Sequence, residues 1–274
     1  MATIAGPLVE RERRLDLLSG TPRAGFIDRW IYVFTAASFV VITLVGFIPD
    51  ALVKVAMVQS GQRPPFPVAM HLHAAMMGSF LLLLLAQTWL MATGRNEYHM
   101  RLGVAAFVLA PALVIVGVVL SPTMYHETWN ALQVALPEQR GNLQDLLHRK
   151  ENILLLQMRI GILFPLFLAM GLRARGHDAG FHKRMMILGT AVALPAAIDR
   201  MQWLPTTLPA SALASDLYVL LAVSPMFVWD VIRNRSVHRA YWVWLAIYAA
   251  ASVVVNLLWD KPGWHATARH IMGV

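Results

Sequence analysis

LGVAAFVLAPALVIVGVVL, which runs from Leu102 to Leu120, decides the fold because its 19 positions contain no charged residue. A helix needs about 20 predominantly apolar residues to cross the hydrocarbon core of a bilayer. A second apolar run, at 69–93, includes five consecutive leucines. Over the 274 residues, 58% are hydrophobic and 14% are charged, which leaves too little polar surface for a water-soluble fold. The sequence therefore predicts an integral membrane protein in contact with a lipid bilayer.

Apolar runs of similar length recur along the chain, and we predict an all-α bundle of about seven transmembrane helices. The predicted spans are 30–48, 69–93, 102–120, 152–172, 185–204, 212–231 and 241–259. They form one transmembrane domain at 30–260, between a cytoplasmic arm at 1–29 and an outer tail at 261–274. The longest predicted loop, 121–151, lies outside, and its residues 142–150 can form a short amphipathic surface helix.

Positive charge sets the orientation, since cytoplasmic loops of membrane proteins carry an excess of Lys and Arg. Fourteen Lys and Arg fall on the side of the N-terminal arm and eight on the other side. We therefore expect the N-terminus inside and the C-terminus outside, in a bacterial inner membrane. The net charge of +8 then reflects these loops and not a nucleic-acid partner. The N-terminal arm lacks a continuous apolar core, so we expect no cleaved signal peptide.

A weak internal repeat carries the most specific chemistry. YHMR at 98–101 and FHKR at 181–184 share the order aromatic, His, any residue, Arg, at an offset of 83 residues. Each motif precedes a span with an internal proline, Pro111 or Pro195. Segments 69–120 and 152–204 thus resemble two copies of one hairpin with the same orientation. Such a repeat places His99 and His182 at a similar depth near the cytoplasmic end.

Two interpretations of this repeat stay open. Two inward-facing imidazoles on neighbouring helices are suitable axial ligands for haem b, and Arg101 and Arg184 could then bind the haem propionates. Alternatively, a His-X-Arg motif at a cytoplasmic helix start simply contacts lipid phosphates.

Polar residues also gather toward the predicted outer end of the bundle. They are His71, His73, Arg159, Asp199, Arg200 and Asp216. Ionisable groups inside a membrane usually pair or line a cavity, and we expect Arg159 to pair with Asp199 or Asp216. The cluster is either a polar cavity for a substrate, a proton or a quinone headgroup, or partly a set of residues in the headgroup region. His73 shares a helix face with Met76 and Met77, which suits Cu(I) or, equally, ordinary packing.

Motifs of soluble enzymes are absent. The chain has no G-x-S-x-G, no P-loop, no G-x-G-x-x-G and no HEXXH, and it contains no cysteine for a thiolate site. Whether it is an enzyme stays open.

Two family resemblances rest on these residues. The blocks around His71–Ala74, His99–Gly103, His182–Met186 and Asp199–Arg200 are similar, in order, to an uncharacterised group of bacterial polytopic membrane proteins, DUF2306. The order His73, Met76, Met77, a long apolar helix, a basic turn and His99 resembles cytochrome b561-type proteins. That second resemblance implies one haem bound by His99 and His182. It does not supply a second haem, because the fourth span contains no histidine that could pair with His73.

Three functions follow as hypotheses. The first is a membrane redox protein with one haem b that exchanges electrons with a quinone near Arg159. The second is a transporter or small-molecule-binding protein that uses the outer polar cavity. The third is a non-catalytic membrane assembly factor. The oligomeric state stays undetermined.

Overall fold

A computed structural model describes residues 24–274, and these residues form helices without strands. In chain order the helices are α1 (Phe26–Gln59), α2 (Val68–Ala92), α3 (Asn96–Gly103), α4 (Ala106–Gln133), α5 (Pro137–Ala174), α6 (Ala179–Ala191), α7 (Pro195–Ile198), α8 (Leu213–Asn234), α9 (Arg239–Leu258) and α10 (Pro262–Met272). The all-α prediction is thereby confirmed for this part of the chain. Most of the predicted cytoplasmic arm at 1–29 lies outside the described residues.

Six helical segments within residues 24–274 are long and apolar enough to cross a membrane. They are α1, α2, α3 with α4, α5, α8 and α9. These six correspond to six of the seven predicted spans. The molecule is therefore a multi-pass membrane protein by the length and composition of its helices.

The remaining predicted span, 185–204, corresponds to two short helices, α6 and α7, instead of one long helix. Proline explains the division, since Pro195 cannot donate a backbone hydrogen bond and occupies the first position of α7. An ion pair lies at each end of this two-helix segment. Asp178, just before α6, pairs with Arg239 at the start of α9, and Arg200, just after α7, pairs with Asp50 near the end of α1.

Helix also replaces the predicted outer loop at 121–151. Helix α4 continues to Gln133, and α5 begins at Pro137, so only three residues connect them. Residues 138–150 are rich in Glu, Gln, Leu and Arg, which are strong helix formers, and Pro137 is well suited to a first helical position. The apolar pattern predicts which residues contact lipid, but it does not predict where a helix ends.

Helix α6 lies at the centre of the bundle and contacts α1, α5, α8 and α9. Two glycines permit its close crossing with α5. A Cβ atom added to Gly189 would lie 2.9 Å from Phe167 Cβ, and one added to Gly171 would lie 3.1 Å from Met186 Sδ. Gly46 on α1 similarly lies directly against the backbone of Ala197 on α7. Small residues at such crossings are typical of helix packing in membranes.

Candidate functional sites: a histidine pair and a buried arginine

His99 and His182 lie side by side at one end of the bundle. Their ring centroids are 6.5 Å apart, and the ring planes form an angle of 77°. Each Nδ1 faces a backbone carbonyl of the preceding long helix: His99 that of Gln87 at 3.4 Å, and His182 that of Gly171 at 2.8 Å. The internal repeat is thus visible as the same contact made twice, from α3 to α2 and from α6 to α5.

These contacts fix the chemistry that each imidazole offers. A carbonyl oxygen only accepts, so each neutral ring donates from Nδ1–H and keeps a lone pair on Nε2. Metal-binding histidines commonly direct the other ring nitrogen at a carbonyl in this way. With their centroids 6.5 Å apart, the two rings are close enough to contact one bound group.

The two arginines of the repeat occupy different environments. Arg101 is exposed and pairs with Glu97 at 2.6 Å, one turn earlier on α3. Arg184 is fully buried, and its Nε and Nη2 donate to the two oxygens of Asp230 on α8 at 2.5 and 2.7 Å. Tyr241 Oη also donates to Asp230. The predicted propionate role does not fit Arg184, because its guanidinium is already held by this carboxylate.

A polar side chain without a partner accompanies the histidine pair. The amide oxygen and nitrogen of Gln87 are buried and make no hydrogen bond within residues 24–274. Gly103 faces this amide, and a Cβ added there would lie 3.5 Å from Gln87 Nε2. A buried amide normally has partners, so this one is available to a polar group of a bound molecule.

The second site surrounds Arg159 on α5. Its Nη1 lies 2.6 Å from Asp216 Oδ1 on α8, so the predicted ion pair is present. Both side chains are buried, with 2% and 6% of their side-chain surfaces exposed. Tyr248 and Ser252 on α9 also donate hydrogen bonds to Asp216, and the Arg159 guanidinium lies 5.0 Å from the centre of the Tyr248 ring.

One edge of the Arg159 guanidinium remains unused. Nε and Nη2 are buried and have no hydrogen-bond acceptor in the described part of the chain. These two nitrogens form the edge with which arginine binds planar acceptors through two parallel hydrogen bonds. Because Asp216 already balances the charge of Arg159, an uncharged acceptor is favoured at this edge.

The other residues of the predicted outer cluster are spread around this pair. Asp199 accepts a hydrogen bond from Ser215 at the exposed side of the bundle, and Arg200 pairs with Asp50 at 3.2 Å. His71 is exposed, with its ring 6.0 Å from that of Phe66. His73 is half-buried near Gly117 on α4, with Nδ1 unpaired in the described structure. The cluster therefore divides into a buried pair and a more exposed rim.

A further polar cluster was not predicted from the sequence. Glu151 on α5 is fully buried, and its carboxylate contacts Tyr125 at 3.1 Å, His265 at 2.6 Å and Arg269 at 3.1 Å. These contacts fix α10 against α4 and α5. A signal was present in the amphipathic sequence PGWHATARHIM, which forms α10. His126 binds the same helix through the Met272 carbonyl.

Comparison with known proteins gives no family assignment, since no family model, no curated protein and no solved structure matches this chain.

Proposed function

We propose that this protein is a membrane redox protein that binds one haem b through His99 and His182. The observation that supports it is the approach of the two rings to 6.5 Å, with each Nδ1 facing a carbonyl. His99 and His182 would hold the haem through their Nε2 atoms, which the Nδ1 contacts leave free.

The proposed topology has seven crossings, with the N-terminus inside and the C-terminus outside a bacterial inner membrane. Two ion pairs, Asp178–Arg239 before α6 and Arg200–Asp50 after α7, support a seventh crossing by this segment. The excess of Lys and Arg on the side of the N-terminal arm supports the orientation. In this topology, the histidine pair lies near the cytoplasmic surface and the Arg159 pair nearer the outer surface.

Each group of the chain then has a defined task. A bound haem b supplies one-electron chemistry at iron. The carbonyls of Gln87 and Gly171 hold the imidazoles in the tautomer that leaves Nε2 free. The free edge of Arg159 offers two donors to the carbonyl oxygen of a quinone, the proposed electron partner. Neither Arg101 nor Arg184 is needed in this scheme.

The test is an oxidised-minus-reduced absorption spectrum of protein purified from haem-replete cells. We expect a Soret band and a reduced b-type α-band in the parent protein, and loss of both in His99→Ala and in His182→Ala. His177→Ala is the matched control, because His177 is exposed and lies at the same end of the bundle. A colourless parent protein, or bands that persist in both variants, would overturn the haem proposal.

A transporter or small-molecule-binding protein is the second candidate, and the unused edge of Arg159 favours it. Here the test is binding of short-tailed quinones to colourless protein, in the parent and in Arg159→Lys. Lysine keeps the charge but cannot make two parallel hydrogen bonds. Loss of binding in this variant supports the candidate. If the protein is colourless and binds no such ligand, the third candidate, a non-catalytic assembly role, takes precedence.

A further inference from the structure

A groove of about 830 Å³ lies on the side of the bundle between α4 and α5, and it is open to the surroundings. Small or proline side chains on both helices leave this space. They are Ala106, Ala110, Pro111, Pro165 and Ala169. Because α4 and α5 are long and apolar enough to cross a membrane, a groove on their outer side is open to lipid.

Arginine closes one end of this groove. Arg173 and Arg175 lie at the end of α5, and both are exposed. Neither makes an ion pair with another residue in the range 24–274, although the Arg175 guanidinium lies 4.9 Å from the centre of the Phe107 ring. Two cationic groups at the end of an apolar groove complement a ligand that is anionic at one end and apolar along its length.

The length of the groove agrees with such a ligand. Its lining on α4 extends from Ala106 to Ile115, which is about 14 Å at the helical rise of 1.5 Å per residue. One leaflet contributes about half of the roughly 30 Å hydrocarbon core. The groove therefore matches the depth of a single leaflet, with its arginines at the headgroup level.

We propose that this groove binds one anionic phospholipid, with its phosphate on Arg173 and Arg175 and one acyl chain between α4 and α5. Basic sites between transmembrane helices bind anionic headgroups through the same charge complementarity. A free phosphate ion shares the headgroup chemistry but leaves the apolar length of the groove unused. This inference is independent of the proposed haem.

The test measures phospholipid retained by the detergent-purified full chain, by native mass spectrometry, after exchange into phosphatidylglycerol or phosphatidylcholine. We expect the parent protein to retain phosphatidylglycerol in preference to phosphatidylcholine. The double variant Arg173→Gln/Arg175→Gln should lose roughly tenfold or more of this retention. The matched control is Arg29→Gln/Arg235→Gln, which removes two exposed arginines outside the groove and should retain the lipid.

A second variant tests the acyl-chain part of the site. Ala169→Trp adds a large side chain at an exposed position of the groove and leaves the core and both arginines unchanged. It should also reduce retention. Equal retention of both lipids, unchanged retention in the double variant or in Ala169→Trp, or displacement of the lipid by millimolar inorganic phosphate would each overturn the proposal.

Discussion

Arg184 shows what a charged residue requires in the centre of this bundle. Its guanidinium and the Asp230 carboxylate are 1% and 0% exposed, and two hydrogen bonds join them. Tyr241 and Asn234 add hydrogen bonds to Asp230. Removal of one partner from such a pair leaves an uncompensated charge in a medium of low dielectric constant.

We predict that Arg184→Met lowers the free energy of unfolding by about 3–5 kcal/mol, the usual effect of breaking a buried ion pair. Arg184→Met/Asp230→Asn should recover most of that loss, because no buried charge remains unpaired. Arg101→Met is the control, since Arg101 is 73% exposed and should change little. Unfolding in detergent measures the free energy of unfolding of all three variants. Equal effects of Arg184→Met and Arg101→Met would contradict the prediction.

Pairing between charged residues was only partly predictable from the sequence. The Arg159–Asp216 pair could be predicted because both residues fall in the outer part of apolar spans, where a charge needs a partner. Asp230 stands at the end of its predicted span, where an acidic residue normally reaches water. The sequence therefore did not predict that Asp230 is buried against Arg184. Glu151 was missed because two of its partners, His265 and Arg269, belong to α10, which the sequence presented only as a tail.

At the scale of one helix, Asp178 determines where α6 begins. Its carboxylate accepts the Phe181 N–H at 2.8 Å and pairs with Arg239 on α9 at 2.7 Å. Partial burial alone would raise the pKa of Asp178, but the hydrogen bonds from Phe181 and Arg239 outweigh it and hold the pKa below its usual value. The ionised carboxylate therefore stabilises the folded state.

We predict that Asp178→Ala lowers the free energy of unfolding by about 1 kcal/mol through loss of the N-cap. Asp178→Asn should lose less, because asparagine also caps helices. A carboxyl with a lowered folded pKa contributes stability above its unfolded pKa and loses it as the pH falls through the folded pKa. This acid-side loss should be smaller in both variants. Unfolding curves at several pH values between neutral and acidic conditions test this, and an unchanged pH dependence would contradict it.

Helix boundaries were the least predictable feature of the elements. Hydropathy located all six long apolar segments, because lipid contact imposes their composition. It did not show that α4 and α5 continue beyond the apolar runs, since helices in water are built from polar helix formers. It also merged α6 and α7 into one span, because Pro195 is tolerated where neighbouring helices shield the broken backbone.

At the scale of the whole molecule, the proposed seventh crossing can be tested because the chain contains no cysteine. His177 and Gln202 are exposed and lie on either side of the α6–α7 segment. We predict that a membrane-impermeant maleimide labels Gln202→Cys in intact spheroplasts, but labels His177→Cys only after permeabilisation. Ala266→Cys, exposed on α10, should behave like Gln202→Cys. Labelling of both flanking sites from one side would exclude the crossing.

The Arg184–Asp230 ion pair between α6 and α8 also orders events during synthesis of the chain. Asp230 follows Arg184 by 46 residues, and a ribosome adding about 5–20 residues per second needs roughly 2–9 s to reach it. A buried charge without a countercharge is strongly destabilising. Nascent α6 therefore depends on a countercharge that does not yet exist, and it becomes a stable part of the bundle only after α8 emerges. During that interval, quality-control proteases can recognise chains whose synthesis stops before Asp230.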